Sequence, residues 1–159
     1  MSRAAVILFF GVAFARPYEV TEVNLPLRVV VKSGGERMSN CIFSTQPIPA
    51  HARFDTLQTS RFEDKDPMFA RCYFPDHPGA NKPGELIDVF YLDGKKWWTQ
   101  AYDQSVAADA LERPIALGEV LRTMRSMIPK GGHNIEMVGM MVRGKKTVKL
   151  YRGRFQYVR

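Results

Sequence analysis

Two strand-like arms, Leu86 to Leu92 and Lys95 to Tyr102, meet at Asp93-Gly94. So short a connection leaves the backbone little choice. A type I′ turn needs positive φ at both central residues, Asp-Gly accommodates this, and the turn's twist matches paired antiparallel strands. A β-hairpin is therefore expected in the middle of the chain. Within its second arm Trp97 and Trp98 are adjacent, and neighbours in a regular strand point to opposite faces. One of the two is expected to pack inward while the other covers the opposite side.

The flanking sequence reads the same way. Leu25 to Lys32 is β-branched and stops at Ser33-Gly34-Gly35; Cys41 to Thr45 follows, and Gln46 to His51 carries prolines that favour an extended, irregular path. Met68 to Phe74 is bounded by Asp66-Pro67 and Pro75, and Asp76 to Glu85 reads as a loop. His133 to Val142, Thr147 to Tyr151 and Arg154 to Val158 complete the strand-like runs. One amphipathic helix over residues 117–128 sets Leu117, Val120, Leu121, Met124, Met127 and Ile128 on one stripe, opposite Glu119, Arg122 and Arg125. Pro129 and Gly131-Gly132 end it. The 159 residues hold no repeat, low-complexity tract or long linker, so residues 16–159 read as one domain. The expected class is mainly β, a sandwich of about seven strands with the helix in a connection.

Three stretches carry a family resemblance. Pro129-Lys130-Gly131-Gly132-His133-Asn134-Ile135-Glu136-Met137 resembles the turn that leads into a late strand of bacterial immunoglobulin-like and fibronectin-like domains. Pro67 to Phe74 is similar to a middle strand of such domains, and Tyr91-Leu92-Asp93-Gly94-Lys95 to a following hairpin. The resemblance spans about residues 68–159 and implies an immunoglobulin-like β-sandwich; it implies no activity. The chain departs from the antibody-type pattern, because Cys72 falls too early for the late-strand cysteine and no single Trp lies between Cys41 and Cys72.

The N-terminus has the order of a secretory signal over residues 1–15: Arg3, an apolar run from Ala4 to Ala15, and an Ala13-Phe14-Ala15 exit before Arg16. That run falls short of the ~20 apolar residues of a permanent membrane span. A buried strand around Val6 to Phe10 is the competing reading. Export would let Cys41 and Cys72 pair, and closing their loop would stabilise the fold by roughly 3 to 4 kcal/mol. A reducing compartment would leave both as small buried hydrophobes.

Chemistry is sparsely marked. His51, His77 and His133 are far apart, the cysteines form no C-x-x-C, and Glu63, Asp64 and Asp66 lack the glycine and terminal glutamate of an EF-hand loop. Gly131-Gly132 follows the helix, where a phosphate cradle would precede one. No catalytic residue, cofactor or metal site is expected, and a small hydrolase is disfavoured by the absence of any nucleophile motif. The formal charge of +7 attracts anionic polymers without conferring specificity. Lys95, Lys96, Trp97 and Trp98, with Arg152 and Arg154, form the candidate binding surface. In Tyr151 to Tyr157 the aromatics either stack bases or alternate into the core, and the period of two at Phe155 and Tyr157 favours the core. The leading expectation is a non-enzymatic exported module, periplasmic, surface-bound or secreted, that binds a protein or polysaccharide or serves an envelope assembly. The alternative is an intracellular basic module that binds nucleic acid or a ribonucleoprotein.

Overall fold

The structure, a computed structural model, describes residues 19–25, 28–33, 36–50, 59–75, 84–102 and 112–159. The leader read over residues 1–15 lies outside them, as do His51 and His77. The elements follow in the order β1 (Glu19–Leu25), β2 (Arg28–Ser33), β3 (Glu36–Ser44), β4 (Arg61–Glu63), β5 (Phe69–Tyr73), β6 (Glu85–Leu92), β7 (Lys95–Tyr102), β8 (Glu112–Ile115), α1 (Leu117–Met124), β9 (Gly132–Arg143) and β10 (Lys146–Val158). A 3-10 turn, Arg125–Met127, continues α1.

The fold is mainly β, and its strands form one hydrogen-bonded network that curls into a half-barrel. The main path runs β1-β2-β3-β10-β9-β6-β7, with β5 on β3, β8 on β5 and β4 on β10. Ten strands among the described residues exceed the seven or so expected. Leu25 to Lys32 is not a single strand, since Leu25 closes β1 and pairs with Arg28, which opens β2. Conversely, Thr147 to Tyr151 and Arg154 to Val158 belong to one strand, because Arg152 and Gly153 stay in register with Val138 and Met137.

β3 changes neighbours midway, and this curls the sheet. Its first half pairs with β2, and Ser39 and Asn40 run parallel to Tyr151 and Arg152 of β10. From Cys41 onward it pairs with β5, while β4 takes up the place beside the end of β10. A Cβ on Gly153 would lie 2.4 Å from the Phe43 ring and 2.8 Å from the Cys41 Cβ. Only glycine lets β3 cross β10 this closely.

The core fills the space between the β3–β5–β8 flap, α1 and the inner face of β10, β9 and β6. Along β10 the aromatics Tyr151, Phe155 and Tyr157 are buried while Arg154 and Gln156 are exposed. Phe43 and Phe62 both pack on Phe155, with ring centroids 4.9 and 5.7 Å away. Each such ring, taken out of water, stabilises the fold by about 1.5 to 3 kcal/mol. Leu117, Leu121 and Ile128 join from the helical connection. Met127 does not: it is 48% exposed, because the helix tightens into the 3-10 turn and the expected 3.6-residue stripe is lost there.

Cys41 and Cys72 are joined by a disulfide with an S–S distance of 1.98 Å. They are directly paired residues of β3 and β5, so the bridge links neighbouring strands within the flap. Asp93 and Gly94 have φ of 48° and 83°, the left-handed pair that a type I′ hairpin requires.

Candidate functional site

The register of three strands builds a polar cluster in the interior. Asp88 on β6 faces Gly139 on β9, and Gly139 faces Tyr151 on β10. With no side chain on Gly139, the Tyr151 ring lies across β9 and its hydroxyl donates to Asp88 Oδ1 at 2.7 Å. A register shift between Lys149 and Tyr151 leaves Leu150 unmatched in β9, so Leu150 and Tyr151 are buried in succession. Such bulges re-aim side chains.

Arg113 completes the cluster from the flap. It sits opposite Cys72 on β8, and its Nη1 lies 3.0 Å from the Tyr151 hydroxyl and 3.6 Å from Asp88 Oδ2. Its guanidinium also stacks on Tyr102 of β7, 3.9 Å from the ring centroid. Asp88 is fully buried, and that burial raises its carboxyl above the usual range against the pull of the Tyr151 hydrogen bond and the Arg113 charge. Burial likewise drives the Tyr151 and Tyr102 hydroxyls upward, with the Asp88 charge adding to both. Both hydroxyls therefore stay protonated, and that of Tyr151 is the donor to Asp88. The arrangement ties β6, β7, β8 and β10 together across the core.

On the opposite face of the flap, Arg71 donates through Nε to the Ile48 carbonyl at 2.9 Å and pairs with Glu112 Oε1 at 3.0 Å. Tyr73 lies on the same face, its hydroxyl pushed up to about 12 by burial and then by the Glu112 charge. None of these residues carries a local sequence mark. A lone polar residue in an apolar strand, Asp88 within Leu86 to Leu92, is one hint of the cluster in the sequence.

The residues of the expected binding surface come from two strands of the sheet. Lys95, Lys96, Trp97 and Trp98 lie at the β6–β7 hairpin, whereas Arg152 and Arg154 sit on β10, separated from β7 by β9 and β6. Both arginines pair with Glu136 on β9, at 2.7 and 3.3 Å. The two tryptophans also differ from expectation. Phe90 pairs with Trp98 and Tyr91 with Lys96, so Trp97 is the extra residue of a bulge. Both rings consequently pack half-buried against the core, and opposite-face packing fails because the strand is not regular there.

The remaining candidates are bound to the chain itself. The Asp93 carboxylate accepts from the Asn134 N–H at 2.8 Å and lies 2.8 Å from His133 Nδ1, while His133 Nε2 faces the Pro129 carbonyl at 3.1 Å. The His133 hydrogen bond, followed by that from Asn134, holds Asp93 below its usual range. Asp64 pairs with Arg125 at 2.7 Å and accepts from the Tyr157 hydroxyl, and Asp66 accepts from the Glu63 N–H. An open depression of about 370 Å³ between the turn after β4 and α1 sets Lys65 and Arg122 beside Asp66. Its charges are mixed. Among the described residues no three His, Cys, Asp or Glu side chains converge as metal ligands, and no helix is long and apolar enough to cross a membrane. No protein-family model, curated protein or solved structure matches the chain.

Proposed function

We propose that the chain is an exported, non-enzymatic β domain that binds a protein or polysaccharide partner as a periplasmic, surface or secreted module, or as an accessory subunit of an envelope assembly. The observation that carries this reading is the Cys41–Cys72 disulfide, which persists in oxidising compartments and is rare under cytosolic reductants. It agrees with the leader read over residues 1–15. The immunoglobulin-like reading of residues 68–159 belongs to the same proposal. Its support is that Arg113 of the flap reaches Asp88 and Tyr151 across a shared core, as facing layers of a sandwich do.

The intracellular polyanion-binding alternative draws on charge and on the half-buried Trp97 and Trp98 beside the exposed Lys95 and Lys96. Burial of Tyr151, Phe155 and Tyr157 counts against the second aromatic stretch, Tyr151 to Tyr157, as a stacking platform. Cell fractionation with N-terminal sequencing of the native protein tests the proposal. A chain beginning at Arg16 outside the cytoplasm supports it; a cytoplasmic chain that retains Met1 refutes it.

A further inference from the structure

β7 is the longest strand with a single hydrogen-bonded neighbour among the described residues, at 8 residues against 7 for β1, 3 for β4 and 4 for β8. Edges of this kind recruit other strands, and proteins blunt them with charge, proline or bulges. β8 carries Pro114. On β7 the devices occupy one end only: Lys95, Lys96 and the bulge at Trp97. From Trp98 to Tyr102 the edge holds Thr99, Gln100 and Ala101 between two aromatics, with no charge, proline or glycine.

We propose that β7 takes up an extended segment of a partner protein by strand addition, and that the segment is acidic where it passes Lys95 and Lys96. The inference rests on the binding-module reading above and deepens it by naming the partner's chemistry. Main-chain hydrogen bonds along Trp98 to Tyr102 supply affinity, and the two exposed lysines supply selection and orientation. Charge decides the occupant: each copy of the chain carries a formal +7, so approach of a second copy is opposed while an acidic strand is attracted.

The test uses the full chain with an extended peptide of alternating valine and glutamate, followed by amide NMR. Expected are shifts concentrated on β7, and binding that weakens about tenfold or more with K95E/K96E, at exposed positions, and with rising salt. A peptide N-methylated at every residue should not bind, because neither of its edges can complete the ladder. Unaltered binding of that peptide, or equal binding of a valine–lysine peptide, overturns the proposal. So does a wild-type dimer whose interface is β7. Failure here with export intact removes strand addition alone, whereas a cytoplasmic chain removes the exported reading.

Discussion

The Tyr151 ring occupies the space that a side chain on Gly139 would need: a Cβ there would lie 2.1 Å from ring carbons Cε2 and Cζ. This one contact lets a hydroxyl on β10 reach a carboxylate on β6 across an intervening strand. The interior polar cluster depends on it.

Gly139→Ala is therefore expected to destabilise the fold by about 1 to 3 kcal/mol or more, since the added methyl must displace a buried ring. Gly132→Ala serves as the control. It lies in the same strand with nothing within 4 Å of the place its methyl would take, so it should stay within about 0.5 kcal/mol of wild type. Urea unfolding of the two variants decides the matter, and equal midpoints would contradict the packing described.

Arg113→Met leaves the Asp88 carboxylate buried without its cation. The expected loss is about 3 to 5 kcal/mol, larger than that of an ordinary surface pair. Replacing both residues, Asp88→Leu with Arg113→Met, should recover part of it, because the uncompensated charge is then gone. Thermal unfolding of the single and double variants measures the recovery.

Asp88 and Asp93 should shape the acid limb of stability in opposite senses. Asp88 binds its proton more tightly folded than unfolded, so its contribution is complete below the unfolded value of about 3.9 and is lost as pH rises toward the raised folded value. Asp93 is held low; its contribution is present above about 3.9 and is lost as pH falls through the depressed folded value. The Asp93 effect should be under about 1 kcal/mol, because the side chain is half exposed and solvent screens the pair. Asp93→Asn keeps a residue suited to the left-handed turn while removing the charge. Urea midpoints followed through the acid range should show Asp88→Asn and Asp93→Asn altering the slope with opposite signs; slopes of the same sign would contradict the environments assigned.

Much of the strand pattern was legible because local chemistry dictated it. Asp93-Gly94 dictated the hairpin, and alternation at Phe155 and Tyr157 dictated which face of β10 is buried. β8 was illegible: Glu112-Arg113-Pro114-Ile115 looks like a loop, and Pro114 is tolerated because the strand pairs on one side only among the described residues. The bulge at Trp97 was invisible because it depends on register with β6, a tertiary property. The Asp88–Arg113–Tyr151 cluster draws its members from three strands, and nothing beside each of them announces the others. Gly139 held the clue, since an isolated glycine within a strand often marks close approach by another group.

Intact-mass spectrometry of the native protein, alkylated without reductant, tests most directly whether this is an exported, disulfide-bonded domain. Expected is a single species beginning at Arg16 with no alkyl group on Cys41 or Cys72 until a reductant is added. A species beginning at Met1 with both cysteines alkylated after unfolding, before any reduction, would contradict it.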